Sequence, residues 1–303
     1  HPKYASAFIA FVPLGNGCDN FCAYCVGTHA RGREAYRPAE EILSEVKKLV
    51  ADGYKEIFLI AQNVNSYTPP LIKGARRDLI NFAQLLKMVN NIPGDFWIRF
   101  ATSHPKDMSD DLIKVIKGCD KVCRHIHLPI QAGDDQVLRA MNRHYTAKHY
   151  LGLTKKIRKA MPQASITTDI IVGFPGETKK QFNNTAEIME KVKFDMAYIA
   201  QYSPRPGTAA FKMIDNVPKK EKKRRKEELM RILKKTALAN NKKYIGKNVD
   251  VLAEGEKGEI FFGKMRTNQT VKIKMFNGKV KAGDFIKVKI KGLKDFGLEG
   301  EIR

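Results

Sequence analysis

Apolar runs typical of β-strands alternate with amphipathic helical patterns six times along the first two thirds of the chain. The predicted strands lie at residues 8–14, 56–62, 97–102, 125–131, 165–173 and 196–202. Repeated alternation of strand and helix predicts parallel strands that are joined by right-handed crossovers. Six such units, where a complete barrel has eight, predict an α/β fold with an incomplete (βα)6 TIM-like barrel that is open on one side.

The last third of the chain has a different pattern. Residues 219–243 are strongly basic, and Leu229, Leu233 and Ala237 recur at helical spacing, which predicts a helix with one buried stripe and a cationic face. Short alternating strands follow and predict a small all-β barrel. The predicted domains are 1–238, with a basic helical linker from about 219, and 239–303.

Charge and cysteine content narrow the class of partner and the compartment. The chain has 55 lysine and arginine residues against 32 aspartate and glutamate, a net charge of +23, which suits a polyanion such as nucleic acid. No apolar run reaches membrane-spanning length. Five cysteines argue against a disulfide framework and predict the reducing cytoplasm. The chain starts at His1 without an initiator methionine, and we interpret it as a fragment.

Three cysteines stand close together in GNGCDNFCAYCVG, directly after the first predicted strand. Cys18, Cys22 and Cys25 would leave one iron of an iron–sulfur cluster free to bind another molecule. Their place at the carboxyl end of a barrel strand, where barrel active sites form, favours a catalytic centre. A structural zinc site that adds His29 is the alternative, because Cys-x3-His is an allowed zinc-ligand spacing. Three unrelated core thiols are a third interpretation.

The C-x3-C-x2-C spacing on the first loop of an incomplete barrel resembles the radical S-adenosylmethionine (SAM) superfamily. That resemblance implies a 4Fe–4S cluster whose open iron binds the amino and carboxylate groups of SAM. It also implies cleavage of SAM to methionine and a 5′-deoxyadenosyl radical, so that the cofactor carries the hard chemistry.

A narrower resemblance extends over most of the chain and is to the radical SAM methylthiotransferases, in their MiaB-like branch. Its motifs are ARGRE (30–34), GYKEIFLIAQNVNSY (53–67), FATSHPKDMSDDLI (100–113), HIHLPIQAG (125–133), MNRHYT (141–146), TTDIIVGFPGET (167–178) and YSPRPGTAA (202–210). The resemblance implies methylthiolation of isopentenyladenosine beside the anticodon of tRNA, and a C-terminal barrel similar to the RNA-binding TRAM module. It implies two partners, the tRNA anticodon stem-loop and a reducing electron donor such as flavodoxin or ferredoxin. A second 4Fe–4S cluster is expected only in an N-terminal sulfur-donor domain, which we expect to be missing here.

Polar residues that end predicted barrel strands are candidates for the site. They are Gln62, Asn63, Ser103, Gln131, Asp169 and Arg205. The resemblance implies that Tyr24 packs near the adenine of SAM and that Gln62, Gln131 and Arg143 contact SAM. Arg143 suits the SAM carboxylate because a guanidinium binds carboxylates through two parallel hydrogen bonds. No catalytic side chain is assigned, because the implied radical chemistry is carried by the cluster and SAM.

Four further features have predictions of their own. GFPGE (173–177) is expected against the adenosine of SAM, where glycines allow close backbone approach. His104 is either a general base or a cap of the next helix. Cys119 and Cys123 are predicted to be buried core thiols.

Three other functions remain open at this point. Within the same chemistry, the substrate is an aspartate of a ribosomal protein or threonylcarbamoyladenosine in tRNA. From a different class, the chain is a non-catalytic RNA-binding protein with a structural metal site.

Overall fold

The computed structural model describes residues 4–69, 80–258, 260–274 and 280–302. The strands are β1 (Ile9–Pro13), β2 (Gly15–Asn16), β3 (Ala35–Tyr36), β4 (Glu56–Ile60), β5 (Trp97–Phe100), β6 (His125–His127), β7 (Ser165–Val172), β8 (Met196–Gln201), β9 (Asn248–Lys257), β10 (Ile260–Met265), β11 (Thr270–Lys274), β12 (Phe285–Lys294) and β13 (Gly297–Ile302). The α-helices are α1 (Gly27–Arg31), α2 (Ala39–Ala51), α3 (Phe82–Asn90), α4 (Asp110–Gly118), α5 (Asp135–Ala140), α6 (Ala147–Ala160), α7 (Lys179–Val192) and α8 (Lys219–Lys242).

The six strands predicted for the first domain are all present and run parallel. They form two three-stranded sheets, β1-β4-β5 and β6-β7-β8, with all pairings parallel. A single bridge between Ile98 and Val122 connects the end of the first sheet to the segment that leads into β6. Within the described residues β1 and β8 do not pair with each other, so the barrel is open between them.

The helices that cover this barrel begin at polar caps that the sequence supplies. The Ser109 side chain accepts a hydrogen bond from the Leu112 N–H at the start of α4, and Thr146 does the same for His149 at the start of α6. In α2, the positions Ile42, Val46 and Leu49 are buried, which is the stripe expected of a helix that packs on one side.

Helix α8 packs as part of the first domain. Leu229 and Leu233 are fully buried and belong to the same hydrophobic core as the barrel strands and their helices. Ala237, one turn further, is also buried. The predicted buried stripe of this basic segment is therefore confirmed.

The predicted small β-barrel is also present. Its five strands close in the order β10-β11-β13-β12-β9, around a core of aliphatic and aromatic side chains. The pairing of β11 with β13 is parallel, and the other pairings are antiparallel.

The two barrels meet at a buried arginine. Arg99 on β5 forms an ion pair with Glu56 on β4 at 2.5 Å, and both side chains are at least 95% buried. The same guanidinium donates a hydrogen bond of 2.8 Å to the backbone carbonyl of Met265, at the end of β10 in the small barrel. Trp97 packs against Phe285 of the small barrel, with ring centroids 4.9 Å apart. The small barrel therefore seals the end of the large barrel where β4 and β5 begin.

No helix in the described part of the chain is long and apolar enough to cross a membrane.

Candidate cluster and cofactor site

The three cysteines lie on an irregular loop between β2 and α1, at the carboxyl end of β1. The short β2–β3 pairing holds the base of this loop, with Gly15 opposite Tyr36. Gly17 has a φ of +81°, and a Cβ at that position would lie 2.0 Å from the carbonyl oxygen of Arg33. Only glycine fits there, because both the backbone conformation and the close approach exclude a side chain.

Residues that follow α5 hold the cysteine loop from the other side. The Ala23 N–H donates to the Met141 carbonyl at 2.9 Å, and the Asn142 side-chain amide donates to the Phe21 carbonyl at 2.8 Å. The motif MNRHYT (141–146) therefore positions the cysteines through backbone contacts as well as through Arg143.

Each of the three sulfur atoms accepts one N–H hydrogen bond. The donors are the Asn20 side-chain amide to Cys18 at 3.3 Å, the Arg143 Nη1 to Cys22 at 3.2 Å, and the Gly27 backbone N–H to Cys25 at 3.2 Å. Such bonds stabilise thiolates and tune the potential of a cluster that the thiolates hold. Burial nevertheless raises the pKa of the Cys25 thiol, against the effect of the Gly27 N–H.

Cys18, Cys22 and Cys25 are all free cysteines, outside any disulfide. Among the residues that the structure describes, no group of three or more histidine, cysteine, aspartate or glutamate side chains is placed to hold a metal ion. His29 lies exposed on α1.

Arg143 is buried and connects the cysteine loop to the barrel. Besides Cys22, its guanidinium donates to the Tyr145 hydroxyl at 3.0 Å and to the Pro129 carbonyl at 3.2 Å. Only 7% of the residue is exposed, so the buried charge of Arg143 is stabilised by those partners and by any ligand bound beside them.

Several buried polar atoms around the carboxyl ends of the strands have no partner within the described chain. They are Gln62 Oε1, Asn63 Oδ1, Ser103 Oγ, His104 Nε2 and Gln131 Oε1. An unsatisfied buried polar group costs free energy, and a cluster of them at one end of a barrel indicates a ligand that supplies the missing hydrogen bonds. Gln62, Asn63, Ser103 and Gln131 are four of the six strand-end residues that the sequence selects.

Tyr24 and Gln131 line one open cleft of about 480 Å³, together with Asp169 and residues of β7 and β8. Burial raises the pKa of the Tyr24 hydroxyl well above its usual range, so the ring is neutral. The cleft lies beside the cysteine loop, because Tyr24 is the residue between Cys22 and Cys25 in that loop.

Other sequence predictions have mixed outcomes. Arg205 is exposed on the loop after β8 and is not among the residues that line this cleft. His104 caps the short helical turn Pro105–Asp107, where its Nδ1 accepts from the Lys106 N–H at 3.2 Å. Cys119 and Cys123 are buried, as predicted, and burial raises the pKa of Cys123 to about 11.

The GFPGE loop packs against α8, and its expected place beside the adenosine of SAM stays a prediction. A Cβ on Gly173 would lie 2.4 Å from the Lys222 side chain, so its glycine serves close approach to the helix. Glu177 accepts from the Gly173 N–H at 2.6 Å and pairs with Arg225 of α8 at 2.6 Å. The sequence does not reveal this partner because the two segments are about fifty residues apart.

Comparison with known proteins agrees with this geometry. A family model described as the radical SAM superfamily matches residues 12–189, more than half of the chain and including all three cysteines. The chain belongs to the radical SAM superfamily. The cofactors of that family are a 4Fe–4S cluster and SAM. The free thiols and the unsatisfied buried polar atoms of this radical SAM chain fit both groups.

The relatives of this radical SAM chain include tRNA-2-methylthio-N(6)-dimethylallyladenosine synthases. That of Acetivibrio thermocellus is 45% identical over 97% of this chain and 60% of its own length. Those of Clostridium tetani and Clostridium novyi are 45% and 46% identical, over 96% and 97% of this chain and 64% of their own lengths. The chain thus spans less than two thirds of the curated relatives it matches.

Solved structures of low sequence identity share the fold. Coproporphyrinogen III oxidase from Escherichia coli, a radical SAM enzyme, aligns with a TM-score of 0.53 at 15% identity, over 87% of this chain and 68% of that one. The radical SAM methyltransferase TsrM from Kitasatospora setae also aligns with a TM-score of 0.53 at 15% identity, over 67% of this chain and 38% of its own. The predicted TIM-like fold is confirmed.

Proposed function

We propose that this chain is the radical SAM and RNA-binding part of a tRNA methylthiotransferase that converts isopentenyladenosine beside the anticodon to its 2-methylthio form. The observation that carries the proposal is identity of about 45% along nearly the whole chain with tRNA-2-methylthio-N(6)-dimethylallyladenosine synthases. The identity continues through the small barrel, which lies beyond the residues that the radical SAM family model matches.

In this proposal Cys18, Cys22 and Cys25 hold the 4Fe–4S cluster. The N–H donor at each sulfur favours the thiolate form. When bound, the cluster and SAM supply the radical that activates an unreactive C–H bond. The residues of the chain bind and orient these groups and exclude water from them.

The SAM contacts are proposed at residues that already face the cleft or have unsatisfied atoms. Tyr24 packs beside the nucleoside, and Gln62 and Gln131 each offer a buried amide oxygen without a partner. Arg143 uses three of its five N–H groups on partners in the described chain, which leaves two for a carboxylate.

The proposed partners are the anticodon stem-loop of tRNA and a reducing electron donor such as flavodoxin or ferredoxin. The net charge of +23 supports the nucleic-acid partner. In this proposal residues 1–238 bind the cofactors, and residues 239–303 bind RNA in the manner of a TRAM module. The proposed compartment is the cytoplasm, where tRNA is used in translation.

Nucleoside analysis of tRNA tests the proposal. Cells that lack the complete gene should lose 2-methylthio-isopentenyladenosine and accumulate isopentenyladenosine. The gene should restore the product, a Cys22→Ala variant should not, and a Cys119→Ala variant is the matched control that should.

An unchanged nucleoside pattern in the deletion strain would contradict the proposal. In that case, a loss of methylthio-aspartate from a ribosomal protein, or of methylthio-threonylcarbamoyladenosine from tRNA, would identify the alternative substrate.

A further inference from the structure

The inner face of the large barrel is not filled at the level of Phe11. In complete barrels, inward side chains pack the interior in layers. Here Phe11 on β1 is 50% exposed. Its neighbours Ala10 and Val12 point the other way, into the core that contains Ile42 and Val46 of α2. Phe11 therefore faces the interior of the barrel, where space is left beside it.

Phe11 belongs to an apolar wall. Phe58, its register partner on β4, lies on the same face, because paired residues of parallel strands share a face. The two rings stack with centroids 5.3 Å apart and an angle of 27° between their planes. Phe11 is half exposed and Phe58 is partly buried, so an apolar ligand that covered this pair would gain free energy by removing it from water.

The sheet formed by β6, β7 and β8 presents a polar wall to the same interior. His127 lies with Nε2 3.4 Å from the Asp169 carboxylate and Nδ1 2.9 Å from the Thr167 hydroxyl. Tyr198, the register partner of Asp169, is 63% exposed and contacts His127 edge-to-face with ring centroids 6.2 Å apart. Hydrogen-bonding groups and one exposed aromatic ring make this wall suitable for a nucleobase.

The interior thus presents the two phenyl rings on one side, with Arg99 as the next residue in register, and hydrogen-bonding groups on the other. Its floor is closed by the contact of Arg99 with Met265 of the small barrel. A ligand that fits both walls has a polar heteroaromatic ring and an apolar substituent. An adenine that carries a branched five-carbon alkyl group on N6 is such a ligand.

We infer that Phe11 and Phe58 form the subsite that receives the N6-alkyl substituent of the target adenosine and select for its presence. This inference rests on the proposed function. It explains selectivity without a charged contact, since an apolar subsite gains free energy only from a substituent that fills it. An unmodified adenine would leave both rings in contact with water.

The test compares binding of two RNA stem-loops that differ only at the target adenosine. One carries N6-dimethylallyladenosine, the other carries adenosine, and Kd is measured by fluorescence anisotropy with the cofactor-reconstituted protein. The wild type should prefer the alkylated RNA by about tenfold or more. Phe11→Ala should lose most of that preference while Kd for the unmodified RNA stays the same. Phe11→Leu, which keeps an apolar side chain, should retain most of it.

The matched control is Ile245→Ala, because Ile245 is 49% exposed but lies just after α8, outside the interior. It should leave the ratio of the two Kd values unchanged, and thermal melts should show that each variant is folded. A folded Phe11→Ala variant with the wild-type ratio, or a wild type without preference, would overturn the inference while the proposed function stands. If neither RNA binds and no methylthio nucleoside depends on the gene, the proposed function fails and the inference falls with it.

Discussion

At the scale of single residues, the cysteine loop is defined by what surrounds its sulfur atoms. Three N–H donors of three different kinds reach them, a side-chain amide, a guanidinium and a backbone amide. The spacing of the cysteines identifies the ligands, but it contains no information on these donors. Asn20 and Gly27 each lie two residues from the cysteine they contact, whereas Arg143 is 121 residues from Cys22 in the chain.

Replacing any cysteine of the trio should abolish loading of the cluster. Cys18→Ala, Cys22→Ala and Cys25→Ala each remove one iron ligand, so iron content after anaerobic reconstitution should fall to the background and SAM cleavage should stop. Cys123→Ala is the control, because Cys123 is a buried core thiol. Loss of iron in Cys123→Ala together with its retention in Cys22→Ala would show that the assignment is wrong.

His104 should make the folded chain sensitive to acid. Burial, helped by the charge of Arg143, lowers its pKa from 6.5 to about 2. Below pH 6.5 His104 is protonated in the unfolded chain but stays neutral in the folded chain. The free energy of unfolding therefore falls as the pH falls. The expected slope is about 1.4 kcal/mol per pH unit from this residue.

Denaturant unfolding of His104→Gln at several pH values between about 5 and 7 measures that contribution. In the variant, the free energy of unfolding should depend on pH less steeply, by the amount that corresponds to the uptake of about one proton. Equal slopes for wild type and His104→Gln would contradict the prediction.

At the scale of elements, periodicity was sufficient for most of the fold. Each apolar run of the first two thirds is a parallel strand, because a strand buried on both faces needs apolar residues at nearly every position. The buried stripe of α8 follows from the spacing of Leu229, Leu233 and Ala237. What periodicity lacks is the partner of each stripe: α8 packs on β8 and α7, and its first turns hold the GFPGE loop.

Leu233→Ala should destabilise the radical SAM barrel as a whole. The side chain is fully buried in the core that α8 shares with the strands, so the variant leaves a cavity. The expected loss in the free energy of unfolding is about 2–5 kcal/mol. Arg231→Ala, on the exposed side of the same helix, should change it by about 0.5 kcal/mol or less. Similar effects of both variants in denaturant titrations would show that α8 is only a linker.

At the scale of the whole molecule, the two barrels are joined by groups that the sequence patterns of the two barrels do not predict. Arg99 is a charged residue in a strand that is otherwise apolar. Its partners are Glu56 on the adjacent strand β4 and the Met265 carbonyl, which is 166 residues away in the chain. A buried ion pair costs free energy unless its remaining donors are satisfied, and the Met265 carbonyl satisfies one of them. Removal of residues after Pro218 would expose this pair and delete Leu229 and Leu233 from the core, so such a truncation does not isolate the RNA-binding contribution.

Point substitutions on the small barrel test that contribution better. If roughly five phosphates are neutralised, the logarithm of the tRNA binding constant against that of salt concentration should slope near −4. Lys272→Gln and Lys274→Gln, exposed on β11, should each make the slope less steep by about 0.7–0.9. Lys159→Gln, exposed on α6, is the control and should leave it unchanged. Unchanged slopes for both β11 variants would show that this strand does not contact the RNA backbone.

The Arg99 contact fixes the distance between the small barrel and the interior of the large barrel. One guanidinium grips a strand of the large barrel and the backbone of the small one, and it is buried from solvent on all sides. The small barrel therefore cannot slide or swing while that contact persists. In the proposed complex, an RNA bound to the lysines of the small barrel would place in the large barrel the nucleotide that lies at one fixed distance from this contact. The proposed complex would therefore select its nucleotide by distance, and an RNA whose stem is one base pair longer would place a different nucleotide in the barrel.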